Sequence, residues 1–378
     1  MAEVSRFLLR ASQAHIWVRC TAYASMVKGL TDDLSDPTVR DEGICAHWAS
    51  LMIWLGHRVN VGQRVQIDGM SAPVVVDDDM IDAVDEWLDE VRTWGVRPML
   101  EYEVSAPRIH AACGGTCDAW SYDPQTKTLY VGDLKYGYRF VDVFGNYQLL
   151  VYVSGLLDHI GMIDDREVTV VMKIYQPRSY RGGSGWQTWR VNASQLRAHF
   201  NHLRNAADEY MSLRGVCRTG EHCSTCDARL TCDAFDAAVE NALDVVSEPI
   251  NNELTASRVD NELLRVERAF DIIEARKSAL AARAEMFARQ GVQLIHWEMQ
   301  PGRSRRIWKE GMEPALQALQ ASKNVALFKS KPITPTQAEK LLDKTLIAAM
   351  SERPAAGLKL KRVDETKAAR MFGSTIED

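Results

Sequence analysis

One short stretch, residues 116–135, limits most strongly what this chain can fold into. Two segments in it, Thr116–Tyr122 and Thr128–Lys135, carry the β-branched and aromatic residues typical of strands. Asp123-Pro124, which lies between them, is a turn signal. The pattern therefore predicts an antiparallel hairpin in which Pro124–Lys127 form the loop.

This hairpin has a definite consequence for its acidic residues. With a loop at Pro124–Lys127, antiparallel pairing places Asp118 directly opposite Asp133. Directly opposite side chains lie on one face of a sheet, with Cβ atoms about 5 Å apart. Lys135 follows Asp133 by two residues and so points to the same face. A shift of one residue would separate the groups, so the register is a prediction that a structure tests.

Two adjacent carboxylates repel each other, so one of them binds a proton or a cation lies between them. Oxygen ligands at this spacing suit Mg²⁺ or Mn²⁺. The alternative is a solvated hairpin with scattered charges. Leu129, Val131 and Leu134 favour a buried strand, and a buried Asp133 needs a partner for its charge.

The rest of the chain excludes several classes of protein. Of its 378 residues, 46% are hydrophobic and 25% are charged, which is ordinary for a globular protein. No apolar run reaches the length of a membrane span, and the first residues do not resemble a secretory signal. Eight cysteines without an export signal favour a reducing compartment. We therefore expect a cytoplasmic protein with no membrane partner.

Hydrophobic periodicity predicts alternating helices and strands and a division near residue 240. Further strands are expected at 99–104, 168–177 and 187–191, and helices at 77–94, 143–160, 194–213 and 256–290. An acidic, Asn-rich linker at 240–254 separates domain 1–240 from a mainly helical domain 241–378. The long helix 256–290 carries a near-heptad apolar stripe. It either packs within its domain, pairs with a second copy of the chain, or reaches the first domain.

Four motifs in this order resemble the PD-(D/E)XK nuclease superfamily, and in particular its RecB-like branch. They are Gly43-x-x-x-His47, Gly115-x-x-Asp118, Asp133-x-Lys135 and Gln148-x-x-x-Tyr152. Nearly the whole chain resembles a phage and prophage family of RecB-like nucleases. The resemblance implies an α/β (α+β) fold with an αβββαβ core, in which a central mixed sheet is flanked by helices. It departs from the superfamily pattern at Cys117, where a proline is common.

The resemblance also implies roles for these residues. The implied ligands of Mg²⁺ or Mn²⁺ are His47, Asp118, Asp133 and the backbone carbonyl of Leu134. The implied catalytic residues are Asp118, Asp133, Lys135, Gln148 and Tyr152. Two further acids, Glu101 and Glu103, lie on the preceding predicted strand. Either of them is a candidate for indirect metal binding.

The cysteines form a second pattern. Cys223-x-x-Cys226, with Cys232 after five more residues, resembles the cysteine loop of iron–sulfur nucleases, in which one distant cysteine completes the ligand set. Here that cysteine is Cys20. The resemblance implies a structural [4Fe–4S] cluster, with Zn²⁺ as the alternative. Cys217 is a candidate substitute ligand.

The implied activity is hydrolysis of DNA by an exonuclease of phage replication or recombination. Residues 301–331 contain seven basic residues and two acidic ones, although the net charge of the chain is −6. Basic groups neutralise phosphates, so Arg178, Arg303, Arg305 and Arg306 are candidate DNA contacts. DNA, a single-strand-binding or annealing protein and a second copy of the chain are the expected partners. The alternative is a non-cleaving, DNA-binding accessory protein with a nuclease-like fold.

Overall fold

The structure is a computed structural model of the chain. It describes residues 7–27, 37–162, 166–179, 185–212, 214–248, 255–301, 307–309, 311–327, 335–339, 341–352 and 358–362. The chain divides into two compact units, Met1–Leu280 and Ala281–Asp378. This division falls inside the predicted long helix, and the domain boundary expected near residue 240 stays a prediction.

The first unit contains the elements that position the candidate site. Its helices are α1 (Ala14–Trp17), α2 (Tyr23–Met26), α3 (Pro37–Trp54), α4 (Asp78–Arg92), α5 (Tyr147–His159), α6 (Arg197–Met211), α7 (Asp233–Ser247) and most of α8 (Ala256–Arg289). Its strands are β1 (Leu9–Arg10), β2 (Arg64–Val65), β3 (Val74–Val75), β4 (Met99–Ser105), β5 (Cys113–Asp123), β6 (Thr128–Leu134), β7 (Thr169–Tyr175) and β8 (Trp186–Asn192). Short 3₁₀ turns precede α1, α6 and α7.

A mixed sheet forms the centre of this unit. Strands β4, β5 and β6 are antiparallel neighbours, β7 pairs in parallel with β6, and β8 pairs antiparallel with β7. The first residues of β5 also pair in parallel with β1. A parallel pair needs a crossover connection, and α5 lies in the connection between β6 and β7. The observed order confirms the α/β fold class with a central mixed sheet flanked by helices.

Apolar clusters cover the two faces of the sheet. One cluster joins α5 and α6 to the sheet through residues such as Leu150, Leu203 and Val131. The other joins α3 and α4 through residues such as Ala46, Trp87 and Leu134. Val131 and Leu134 of the buried strand β6 are an odd number of positions apart and thus enter different clusters, as the two-residue period of a strand requires.

Capping residues fix where two of the predicted helices begin. The Asp77 side chain accepts a hydrogen bond from the Met80 amide at 2.8 Å, so α4 begins at Asp78 as its acidic first turn indicated. The Asn146 side chain accepts from the Leu149 amide at 3.2 Å. This cap makes α5 begin at Tyr147, four residues later than the periodicity predicted.

The second unit is built from small elements. It contains α9 (Glu313–Lys323), α10 (Pro335–Ala338) and α11 (Lys344–Met350), and two short antiparallel pairs. In these pairs β9 (Trp297–Pro301) joins β12 (Leu358–Arg362), and β10 (Ile307–Trp308) joins β11 (Ser351–Glu352). It therefore combines helices with short strand pairs, and the mainly helical domain 241–378 stays a prediction. Among the described residues, no helix has both the length and the apolar character that a bilayer crossing requires.

Candidate metal and catalytic site

Three neighbouring strands bring three acidic residues into one row. In the hairpin, Ala119 pairs with Gly132, and extending this register by one residue puts Asp118 opposite Asp133. The predicted hairpin register is therefore confirmed. On the other side, β4 pairs with β5 so that Glu101 lies opposite Asp118. The row Glu101, Asp118, Asp133 crosses β4, β5 and β6.

Helix α3 adds a histidine to this row. His47 Nδ1 lies 3.1 Å from Glu101 Oε1 and 3.7 Å from Asp118 Oδ1. One ligand atom from each of these three residues lies within 4.8 Å of the others. The group offers one imidazole nitrogen and carboxylate oxygens, a donor set that divalent cations accept. The site is therefore consistent with a divalent metal.

The electrostatics of the group favour added positive charge. Burial lowers the pKa of His47, but Asp118 and Glu101 outweigh it, and the pKa rises to about 9. Burial raises the pKa of Asp118, which His47 counteracts and the neighbouring Asp133 and Glu101 reinforce, so that it reaches about 7. Both shifts have the sign expected for closely spaced carboxylates that lack enough cationic partners.

A second set of contacts surrounds Asp133. Lys135 Nζ donates to Asp133 Oδ1 at 3.0 Å and to Gln148 Oε1 at 3.0 Å. The Gln148 amide donates to Asp133 Oδ1 at 2.9 Å and contacts the Tyr152 hydroxyl at 3.2 Å. Gln148 and Tyr152 lie one helical turn apart on α5, and this helix packs against the hairpin face that carries Asp133. Every one of these residues was singled out in the sequence.

The carboxylate oxygens of Asp118 and Asp133 differ in their hydrogen bonding. Asp118 Oδ2 accepts a hydrogen bond from the Leu134 amide at 2.7 Å, which fixes this carboxylate. Asp133 is 1% exposed, and its Oδ2 atom has no well-aligned hydrogen-bond donor among the described residues, although Lys135 Nζ lies 2.9 Å away. A buried carboxylate oxygen in this state is a good candidate to bind a cation. A metal-binding role for the Leu134 carbonyl stays a prediction.

Five cysteines line a single cavity in the first unit. They are Cys20, Cys217, Cys223, Cys226 and Cys232. Cys217 Sγ lies 4.0 Å from Cys20 Sγ and 3.8 Å from Cys232 Sγ. The fold thus brings the four predicted cysteine ligands to one place, and it adds the candidate substitute Cys217. None of the cysteines in the described residues forms a disulfide.

The candidate DNA contacts differ in their surroundings. The Arg178 guanidinium lies over the rings of Tyr136 and Tyr138, at 4.6 and 4.0 Å from the ring centroids, and pairs with Glu42 at 2.5 Å. Glu42 lies on α3, so Arg178 connects the end of β7 to the helix that carries His47. Arg303, Arg305 and Arg306 lie outside the described residues. DNA binding by all four stays a prediction.

From the sequence, Glu101 was a candidate for indirect metal binding only, and the structure puts it next to His47 and Asp118. The hairpin register followed from its short loop, whereas the longer connection from β4 to β5 leaves that register open. Glu101 also has a φ of 48°. This left-handed backbone conformation is unfavourable for a residue with a side chain, and such strain often occurs at functional sites. The one sequence feature that pointed to Glu101 as a ligand was its position as an acidic residue in the strand that precedes the hairpin.

Comparison of the sequence with known protein families assigns this chain to one of them. No curated protein matches this chain. A family model described as "Protein of unknown function (DUF2800)" matches residues 7–359. Because this match covers most of the sequence, the chain belongs to the DUF2800 family.

Proposed function

We propose that this protein is a metal-dependent nuclease of the PD-(D/E)XK type that hydrolyses phosphodiester bonds in DNA. The observation that carries the proposal is the shared location of Asp118, Asp133 and Lys135 on one face of the hairpin, with His47 beside them. A solvated hairpin with scattered charges does not require a histidine from a separate helix, nor a glutamine that contacts both the acid and the lysine.

The proposed ligands of Mg²⁺ or Mn²⁺ are His47, Asp118 and Asp133, with the Leu134 carbonyl, and the structure adds Glu101. When bound, the cation supplies a Lewis acid and lowers the pKa of a coordinated water. The buried carboxylates set its position, and the Asp118 carboxylate is fixed by the Leu134 amide.

Lys135 gives the site a positive charge, and Gln148 holds this charge in place through hydrogen bonds. Asp133 raises the pKa of Lys135 against the opposing effect of burial, so the ammonium group keeps its proton. A fixed ammonium group stabilises the negative charge that grows on a phosphate oxygen during hydrolysis. Gln148 holds Lys135 and Asp133 together, and Tyr152 orients Gln148 from the next helical turn.

We propose that the cysteine cavity holds a [4Fe–4S] cluster through Cys20, Cys223, Cys226 and Cys232. Phosphodiester hydrolysis transfers no electrons, so the cluster is structural. The substrate and context proposed are linear DNA and an exonuclease of phage replication or recombination.

A cleavage assay tests the activity. Wild-type protein is incubated with end-labelled single- and double-stranded DNA and with Mg²⁺ or Mn²⁺, and its products are compared with those of Lys135→Ala and Asp133→Asn. Both substitutions should reduce the rate at least about 100-fold, because each removes charge that acts in the transition state. DNA affinity should remain within a few-fold of wild type.

The matched control is Lys127→Ala, which removes a lysine from the turn of the same hairpin and should cleave normally. Full activity of Lys135→Ala with both cations would show that the catalytic assignment is wrong. DNA binding by the wild type without cleavage would instead support the accessory-protein alternative.

A further inference from the structure

Helix α8 has two different apolar faces. One face is lined by the small buried residues Ala269, Ala275 and Ala279. Ala275 packs in a cluster with Cys232 and Phe235, so this face belongs to the core of the first unit. The helix therefore needs no apolar residues on its other sides for its attachment to that core.

The other face nevertheless carries a long apolar stripe. Its positions recur at alternating intervals of four and three residues, which is the heptad spacing of coiled coils, and all of them except position 277, a lysine, are apolar. The apolar members are Val259, Leu263, Val266, Phe270, Ile273 and Leu280. Leu263 is 60% exposed and Phe270 is 62% exposed, so the described residues of the first unit leave the centre of this stripe uncovered. Exposed apolar patches of this kind mark interaction surfaces.

Charged residues along the stripe indicate what covers it. Asp260, Glu262 and Glu267 flank the first half of the stripe, whereas the second half has Glu274 at its flank and Lys277 at a stripe position. Glu267 and Lys277 are both exposed. The first half is therefore more acidic than the second, so the surface complements a reversed copy of itself better than a parallel one.

We propose that α8 pairs antiparallel with α8 of a second copy of this chain. In the register that aligns the two stripes, Leu263 packs against the partner's Leu280 and Phe270 packs against the partner's Ile273. Lys277 then lies level with the partner's Glu267. The contact is isologous, as in most homodimers.

Charge disfavours the parallel arrangement. Two parallel helices in register would place Lys277 against the partner's Lys277 in the apolar seam. They would also bring Glu262 close to the partner's Glu267, because these are the flanking positions that meet in parallel coiled coils. The antiparallel arrangement separates the two lysines and puts each one beside the partner's Glu267, and the one like-charge contact that it creates, between Glu267 and the partner's Glu274, lies at the solvated edge of the seam. This inference stands independently of the proposed nuclease activity.

The oligomeric state of the full-length protein tests the proposal. Sedimentation equilibrium under reducing conditions should give a dimer for the wild type. Phe270→Glu should raise the dimer dissociation constant at least about 100-fold, because it puts a charge into the seam. Its circular dichroism should match that of the wild type. Ser278→Glu, which adds the same charge to an exposed position off the stripe, should leave the dimer intact.

A charge exchange tests the direction of the helices. Lys277→Glu should weaken the dimer, because it faces the partner's Glu267, and adding Glu267→Lys in the same chain should restore it. A monomeric wild type, or a dimer that Phe270→Glu leaves unchanged, would overturn the proposal. A dimer that Lys277→Glu strengthens would overturn the antiparallel arrangement, since this is the result expected of a parallel pair.

Discussion

At the scale of single residues, the three acids of the candidate site have different surroundings. Asp118 is held by a backbone amide, Asp133 by a lysine and a glutamine, and Glu101 by His47. Glu101 also has a left-handed backbone conformation. A conformation that costs free energy persists where the surrounding structure requires it. We therefore expect Glu101 to contribute directly to cation binding.

Glu101→Gln tests this expectation. Glutamine preserves the size of the side chain but removes one negative charge, so Mn²⁺ affinity should fall at least about tenfold, because affinity depends on the number of charged ligands. Isothermal titration calorimetry measures the change. Glu103→Gln, on the same strand but exposed, is the control and should bind Mn²⁺ as the wild type does. Equal affinities for all three proteins would show that Glu101 is not a ligand.

His15 makes stability depend on pH. Burial, followed by the charge of Arg139, lowers the pKa of His15 from 6.5 to about 4. Between these values the unfolded chain binds a proton that the folded chain does not, so stability is lost as pH falls from 6.5 towards 4. From pH 7 to pH 5 the loss is about 2 kcal/mol.

Urea unfolding at pH 7 and pH 5 measures this loss. The variant His15→Gln keeps a hydrogen-bonding side chain near Thr225, which His15 contacts at 3.0 Å. The variant has no group that titrates there, so its free energy of unfolding should decrease less over the same interval. Identical decreases in the two proteins would contradict the pKa assigned to His15.

At the scale of elements, the packing of α5 on the sheet positions Gln148 and Tyr152. Gly155 lies on this helix, and a Cβ atom there would come within 2.4 Å of the backbone oxygen of Ser105. A glycine is therefore required where α5 crosses β4. Any displacement of α5 would also move Gln148 away from Lys135.

Two glycine-to-alanine substitutions distinguish the effect of packing on stability from the effect of helix propensity. Gly155→Ala should destabilise the protein by about 1–3 kcal/mol, since overpacking outweighs the propensity of alanine. Gly43→Ala, in α3 where a Cβ atom meets no neighbour within 4 Å, should stabilise it by up to about 1 kcal/mol. Chemical denaturation measures both. A neutral or stabilising Gly155→Ala would show that the sheet moves to accept a methyl group.

At the scale of the whole molecule, the proposed cluster joins distant parts of the chain. Each iron of a [4Fe–4S] cluster takes one cysteine, and ligating sulfurs must stand apart. The sulfur of Cys217 lies too close to the sulfurs of both Cys20 and Cys232 for all three to bind different iron atoms. The proposed ligand set therefore leaves Cys217 out. Cys226→Ser should therefore lose iron and lower the thermal midpoint, whereas Cys217→Ser should keep its iron. Iron analysis and thermal unfolding on the same samples measure this.

Zinc without iron in the wild-type protein, purified without exposure to oxygen, would contradict the cluster. Iron loss in Cys217→Ser with retention in Cys226→Ser would show that the ligand set is wrong. These results do not depend on cleavage, so they test the cysteine site separately from the catalytic one.

Local patterns predicted much of the first unit. The short loop Pro124–Lys127 determined the hairpin register, and therefore the positions of Asp118, Asp133 and Lys135. The longer connection between β4 and β5 has no comparable turn signal, so the position of Glu101 did not follow from it. The strand pairs of the second unit were also missed, because strands such as Ile307–Trp308 are too short to show a two-residue period.

The segment that begins the first unit is held by residues far along the chain. Tyr23 donates to Asp227 at 2.5 Å, and the Val216 amide donates to the Thr21 hydroxyl at 2.9 Å. During synthesis the ribosome must release the chain well beyond Asp227 before these bonds can form. The nascent polypeptide therefore completes this unit late, and a product truncated before Val216 would lack both attachments.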